Sequence, residues 1–477
     1  NTNYKWFPYN KGGYFRKWYG NNEYLVNWEN NGFEVKEYAS SLYKNFTRTI
    51  KNIDFYFKKS ITWSFVSSSK FGVRYSPQGF IFDVGGSSVF PPDKDIYYLT
   101  AFLCSKLAFV FLKILNPTLN FQAGNLKSLP ILKPNEHIKQ KVEMVAKDNI
   151  NISKTDWDSF ETSWDFKKHP LLAYKKDAQT IEEAFNNWSK FTEKQFYQLK
   201  ENEEELNRIF IDIYGLEDEL TPEVPEEDVT VRKADRGRDI RSFISYAVGC
   251  MFGRYSLDEE GLVYAGGEFD KSRYKTFPVD EDGIIPVLDD EYFDDDIVAR
   301  FVEFVKVTFG EEHLEENLEY IADALIESGT SAQKTPRETI RRYFLYDFIK
   351  DHVSTYNKRP IYWLFQSDGR GKAFNALIYM HRYDKDTVAR VRTDYLHELQ
   401  KKIEAEKVRL QGIIDSDLST REKNKAKKKL KKLEKDTKEL REYDEKLNHL
   451  ANQQIEIDLD DGVEVNYKKF ANVLTNI

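Results

Sequence analysis

Two cysteines, Cys104 and Cys250, are too few in 477 residues to build a disulfide framework. A reducing, cytoplasmic setting is therefore expected. Histidine is also scarce. The seven histidines form no HExxH motif, and no paired CxxC accompanies them, so no zinc-binding pattern is present. Glu311-Glu312-His313 reads as a solvated histidine in an acidic helix. The chain opens Asn1-Thr2-Asn3-Tyr4, without an initiator methionine or a basic-then-apolar leader. This start is expected of a portion of a longer product. Ile96 to Leu115 has the length of a bilayer span but carries Lys106 at its middle and Lys113 near its end. Charges there are costly in lipid. A single buried amphipathic helix is the expectation, with no membrane partner.

Catalytic motifs are missing as well. Gly369-Arg370-Gly371-Lys372 lacks the upstream glycine and the following Ser/Thr of a phosphate-binding loop. No GxSxG elbow occurs. Gly85-Gly86-Ser87-Ser88 does not match a dinucleotide fingerprint and reads as a turn at a strand end. Asn116-Pro117-Thr118 hints at the NPPY of amino-methyltransferases. It lacks the second proline and the aromatic that would stack on a flipped base, and it reads as a helix stop. Glu404-Ala405-Glu406-Lys407 has no partner aspartate for a nuclease set. No catalytic residues and no metal site are assigned.

Aromatic residues are plentiful, at 15% with 34 Phe, 29 Tyr and 8 Trp, which excludes wholesale disorder. The net charge of −8 hides a strong asymmetry. Residues 1–147 sum to +10, 148–200 to −1, 201–330 to −24 and 331–477 to +7. Because charges act over about 8 Å at physiological salt, the basic start can attract phosphates whatever the whole chain carries.

Along the chain, residues 1–90 read as strands and turns, punctuated by Asn10-Lys11-Gly12-Gly13, Gly20-Asn21-Asn22 and Asn30-Asn31-Gly32. The apolar helix 93–116 follows, then a short strand at Asn125-Leu126-Lys127-Ser128-Leu129-Pro130-Ile131, then a helix from Glu136. Residues 150–230 carry aromatics at helical spacing and end in the acidic connector Thr221 to Asp228. An apolar helix covers 238–256, acidic loops 258–296, and helices 297–309, 311–328 and 336–352. A helical hairpin closes the chain. Its first arm runs from Asp386 to Ile414, and Ser419-Thr420-Arg421-Glu422 opens the second arm with a capping box. Leu430, Leu433, Leu440, Tyr443, Leu447 and Leu450 form the apolar seam of that arm, and the run Lys423 to Lys432 its solvated face.

The basic segment interleaves cations with aromatics and hydroxyls, a composition suited to DNA. Candidate contacts are Lys11, Arg16, Lys17, Lys58, Lys59, Ser67, Ser68, Lys70, Arg74 and Lys127. Arg16 and Arg74 are the candidate base readers, because a guanidinium fork can bond guanine bidentately. The lysines would position phosphates.

The order of elements resembles the target recognition domain of Type I specificity subunits and single-chain Type II methyltransferases, in which a short strand ending in Leu-Pro precedes a helical spacer. A closer likeness spans nearly the whole chain. It runs through Lys5-Trp6-Phe7-Pro8-Tyr9-Asn10-Lys11-Gly12-Gly13, Phe15-Arg16-Lys17-Trp18-Tyr19-Gly20-Asn21, Ile61-Thr62-Trp63-Ser64 and Phe210-Ile211-Asp212-Ile213-Tyr214-Gly215-Leu216. It continues through Ser245-Tyr246-Ala247-Val248-Gly249-Cys250-Met251-Phe252-Gly253-Arg254-Tyr255, Arg359-Pro360-Ile361-Tyr362-Trp363-Leu364-Phe365 and Ala376-Leu377-Ile378-Tyr379-Met380-His381-Arg382-Tyr383. These strings resemble the PglX-type adenine-specific DNA methyltransferases of BREX phage-exclusion systems.

The resemblance implies an α+β fold: a mixed α/β target-recognition-like domain followed by mainly α-helical parts. It suggests a recognition domain over 1–147, a helical spacer over 148–230, an acidic, mainly helical domain over 231–384 and the hairpin with its tail over 385–477. It implies double-stranded DNA, an upstream methyltransferase domain and other phage-defence proteins as partners. It also implies S-adenosylmethionine for the intact enzyme and none for this portion, since the family's catalytic NPPY and cofactor motifs precede the region seen here. Two alternatives stand beside it: an acidic protein-interaction platform built on residues 201–330, and the C-terminal part of a Type II restriction–modification enzyme.

Overall fold

The computed structural model describes residues 4–67, 70–118, 120–367 and 372–477. The chain divides into two compact units. The first comprises Asn1–Asp165 and Ser189–Ala234, the second Phe166–Trp188 and Asp235–Ile477. The architecture is mixed α+β, with three small sheets among many helices.

In the first unit, β1 (Trp6–Asn10) pairs antiparallel with β2 (Tyr24–Asn27), Trp6 facing Asn27. The segment that follows, expected as strands and turns, is instead helix α1 (Glu29–Tyr43). Asn30, Asn31 and Gly32 all have positive φ at its start, so the turn signal is real but leads into a helix. A second sheet joins β3 (Ser60–Trp63) and β4 (Val73–Ser76) in antiparallel register, Thr62 facing Arg74. The short β5 (Ile81–Phe82) extends the first sheet in parallel, and β6 (Ser88–Val89) extends the second.

The apolar run expected as one helix is broken into α2 (Ile96–Cys104) and α3 (Lys106–Leu115), bent by 72°. Ser105 is the cause. It leaves the helical region, and its hydroxyl accepts the Ala108 N–H as an N-cap. Among the described residues no single helix is long and apolar enough to cross a membrane. The segment expected as a strand before Pro130 is α4 (Ala123–Lys127), opened by a reciprocal Gln122–Asn125 capping box. α5 (Glu136–Asp158) packs against α2. The main core gathers Trp18, Trp63, Val73, Phe102, Leu107, Val142 and Phe210. A smaller one gathers Trp28, Tyr56 and Ile81 under the first sheet.

The second unit opens with α6 (Pro170–Ala173), and α7 (Ile181–Tyr214) passes from it into the first unit. α8 (Arg236–Phe252) ends at Gly253, whose φ of 82° supplies the left-handed cap. A three-stranded antiparallel sheet places β9 (Asn375–Tyr379) between β7 (Ile284–Pro286) and β8 (Tyr362–Gln366). Helices α9 (Ile297–Phe309), α10 (Leu314–Glu327), α11 (Pro336–Tyr346) and α12 (Phe348–Thr355) lie between β7 and β8 in the chain.

The hairpin forms as expected. Its first arm is α13 (Thr387–Arg390), a π-helical turn at Val391–Leu396, and α14 (His397–Asp415). Its second arm is α15 (Thr420–Ala451), with the Ser419–Glu422 capping box in place. Leu433, Leu440, Tyr443, Leu447 and Leu450 are buried along the seam. A short helix, α16 (Gly462–Lys468), follows.

Candidate nucleic-acid interface

The β4-β3-β6 sheet has one apolar and one polar face, as strand alternation requires. Ile61, Trp63 and Val73 enter the core. Ser60, Thr62, Ser64, Arg74 and Ser76 alternate with them and are also buried. Their hydroxyls meet the neighbouring loops. Thr62 Oγ1 donates to the Gly86 carbonyl at 3.1 Å, and Ser64 Oγ to that of Gly13 at 2.9 Å. Ser76 Oγ accepts from Asn10 Nδ2 at 2.9 Å. The loops approach so closely that a Cβ on Gly86 would collide with the Asn10 carbonyl.

Three candidate contacts are buried in or beside this polar layer. Arg16 is buried. Its Nε donates to the Tyr19 carbonyl at 2.7 Å and one terminal nitrogen to Asp156 at 2.6 Å, while the guanidinium lies 5.1 Å from the Trp157 ring. Lys17 is buried and paired with Glu203 at 2.7 Å, and the same carboxylate accepts the Trp18 indole N–H at 2.7 Å. Arg74 is 2% exposed, and among the described residues its Nε has no hydrogen-bond partner. Burial, aided by the nearby Arg16 guanidinium, pulls its pKa down to about 10. Arg16 and Arg74, expected to read base edges, are thus both buried within the unit.

The remaining candidates are on or near the surface. Lys11 is exposed, 5.4 Å from the Tyr24 ring, and Lys58 is exposed, 5.1 Å from that of Phe55. Lys127 is exposed at the last turn of α4. Lys59 pairs with Asp93 at 3.3 Å, and Lys70 with Asp228. Ser67 Oγ donates to the Lys70 carbonyl at 2.6 Å. Ser68 lies outside the described residues.

Sequence reasoning missed a stretch of the first unit that combines cations with exposed aromatics. It runs from α1 to Lys58. Phe33, Tyr38, Leu42, Tyr43 and Phe55 are exposed there. Lys36, Lys44, Arg48 and Lys51 accompany them, and no ion pair engages these four among the described residues. Arg48 stands 5.0 Å from the Tyr43 ring and Lys36 5.1 Å from that of Trp28. Glu34, Glu37 and Asp54 are interspersed. The helical spacing of 33–43 was the available signal, hidden behind the Asn30-Asn31-Gly32 turn.

Lys17 and Lys70 also line a cleft of about 470 Å³ walled by Phe15, Phe71, Phe109 and Pro225. Cys104 borders it, and burial pushes its thiol up to about 12, so it stays protonated. The glycine-rich turn at 85–86 does not fit S-adenosylmethionine. Asp83 Oδ1 already accepts both glycine N–H groups, and the loop at 10–13 fills the space beside them. Asn116 acts as a helix stop: its Oδ1 accepts the Thr118 N–H at 3.1 Å and hydroxyl at 2.8 Å.

No protein-family model matches the chain. Two curated relatives do. An adenine-specific methyltransferase, PglX, of Lacticaseibacillus casei (strain Zhang) is 49% identical over 471 residues, covering 97% of this chain and 38% of that protein. An adenine-specific methyltransferase, BrxX, of Escherichia coli O9:H4 (strain HS) is 42% identical over 503 residues, covering 100% of this chain and 40% of that protein. The chain thus spans about two fifths of the length of the relatives it matches. Along nearly all of its own length, it is a homologue of one part of the adenine-specific methyltransferases PglX and BrxX.

Proposed function

We propose that this chain is the DNA-recognition portion of an N6-adenine DNA methyltransferase serving a BREX-type phage-defence system. The carrying observation is its alignment, over 97% of its length, with an adenine-specific methyltransferase. The exposed cations and aromatics of the first unit add physical support: lysines and arginines neutralise phosphates, and exposed rings offer stacking surfaces. In this reading the first unit grips double-stranded DNA. A methyltransferase domain upstream supplies the catalytic residues and S-adenosylmethionine, and receives an adenine flipped from the stack. The phosphate contacts are Lys11, Lys36, Arg48, Lys58 and Lys127, and the buried Arg16, Lys17 and Arg74 shape the unit that presents them.

Gel-shift titrations over a salt series test this. Affinity should fall with a log–log slope of roughly −0.9 per neutralised phosphate. Joint charge reversal at Lys11, Arg48, Lys58 and Lys127 should flatten that slope by about 3 to 4. Absence of binding at every salt concentration, or a slope the reversals leave unchanged, refutes it. A second reading rests on the −24 block, whose Glu281, Glu311, Glu312 and Glu319 are exposed. Salt-sensitive binding of a basic phage-defence protein without nucleic acid would favour that platform.

A further inference from the structure

Three of the strings that carry the family resemblance meet inside the second unit around one arginine. Arg254 follows the cap of α8, and among the described residues its buried Nε has no hydrogen-bond partner. The guanidinium lies 5.2 Å from the Tyr255 ring and 5.4 Å from that of Tyr356. Tyr362 and Tyr379 also stand within its electrostatic reach. Among the described residues no carboxylate pairs with it. An uncompensated charge in such surroundings is costly. Aromatic faces offset part of that cost.

A second donor faces the same rings. His352 is 3% exposed, and its ring centroid is 4.6 Å from those of both Tyr356 and Tyr362. Its Nε2 accepts two backbone N–H groups, from Ile361 at 3.0 Å and Tyr362 at 3.1 Å. Nε2 therefore holds the lone pair, and in the neutral ring the proton belongs to Nδ1. That Nδ1 is buried with no partner. Burial, reinforced by Arg254, lowers the pKa of His352, so the ring stays neutral. His381 adds a third nitrogen, a buried Nδ1 without a partner, on a ring 4.8 Å from that of Tyr379 and near enough to Arg254 to feel its charge. Arg254, Tyr356 and His381 are each partly exposed, so the cluster is not sealed from solvent.

The Arg254 guanidinium and the Nδ1–H of His352, both donors, thus converge on one aromatic cage, and among the described residues no carboxylate pairs with either. We propose that Arg254 and His352 form a binding site for a small oxyanion, a phosphate or carboxylate group, with the guanidinium supplying charge and Nδ1–H a directed hydrogen bond. The inference does not rest on the DNA-recognition reading, since it concerns the second unit alone.

Thermal melts of the whole chain in inorganic phosphate, in acetate and in sodium chloride at matched ionic strength test the site. Saturable stabilisation by phosphate or acetate beyond chloride is expected. Arg254→Met should abolish it. His352→Gln should weaken it about tenfold, because the glutamine carbonyl still accepts the two backbone N–H groups but the Nδ1 donor is gone. Equal responses to all three salts, or an oxyanion response unchanged in His352→Gln, overturn the proposal. Should Arg254→Met fail to fold, phosphate-31 line broadening of wild type against His352→Gln decides, and identical titrations of the two overturn it.

Discussion

Asp280 carries the sharpest pH prediction. It is 5% exposed in the second unit, and its Oδ1 accepts the N–H groups of Gly283 at 2.7 Å and Ile284 at 3.2 Å. Burial, and then the nearby carboxylates of Asp282 and Asp295, push its pKa up to about 7. The Tyr395 hydroxyl donates to Asp295 at 2.8 Å and lies within 3.2 Å of Asp282. The two arginines in reach do not neutralise the group. Arg382 donates to the backbone carbonyls of Asp280 and Glu281, and Arg300 to that of Pro278.

The sign follows from linkage. Between roughly pH 4 and 7 the folded state holds a proton that the unfolded chain has released, so stability falls as pH rises through that window. Three pH units at 1.36 kcal/mol each set an upper limit of about 4 kcal/mol. Discounted for the coupling of closely spaced carboxylates, the expected cost is about 2–4 kcal/mol. Asp280→Asn keeps the acceptor for Gly283 and imitates the protonated acid. It should raise Tm at pH 8 by roughly 5–10 °C and leave it unchanged near pH 4. Melts of both proteins across this range check the reasoning. A pH-independent difference, or destabilisation at pH 8, refutes it.

Three further outcomes are expected. Gly249→Ala, in the last turn of α8, would ordinarily stabilise a helix by up to about 1 kcal/mol. Here the new Cβ would lie 2.5 Å from Tyr255 Cδ2, so a loss of about 1–3 kcal/mol in denaturant titration is expected instead. Arg74→Met should raise stability by about 1–3 kcal/mol and leave DNA affinity intact; altered sequence preference in a gel shift would return Arg74 to the role of base reader. Asp156→Ala should cost about 3–5 kcal/mol, because it strips the carboxylate shared by Arg16 and Arg232; its effect, read by urea unfolding, should shrink at acid pH, where the lowered pKa of Asp156 is passed in wild type as well.

Local signals in the sequence were legible where chemistry is local. The hairpin could be read because its capping box and leucine seam involve neighbours three and four residues apart. The helices of the second unit were legible for the same reason, except that the helix expected over 336–352 is two, α11 and α12, meeting at Asp347. The bend at Ser105 was also written locally, as a capping serine, but the apolar residues on both sides masked it. The strand expected before Pro130 became α4 because Gln122 and Asn125 cap each other, a pair that alternation counting overlooks. The fates of Arg16, Lys17 and Arg74 were not legible. A cation counts as surface in any composition, and the groups that bury these three arrive from far along the chain: Asp156 lies 140 positions from Arg16, and Glu203 lies 186 from Lys17.

That distance bears on how segments could be exchanged between relatives. The first unit is built from two stretches of chain, and the second stretch supplies Glu203 to Lys17 and Trp18, and Arg232 to Asp156. A graft of residues 1–165 alone would carry Lys17 into a foreign helix and leave Asp156 one arginine short. Recombination that preserves folding must move 189–234 with it, or accept only donors whose α7 already offers a glutamate at the position of Glu203. The two stretches of the first unit therefore form one folding unit, and exchanging either without the other should lower stability.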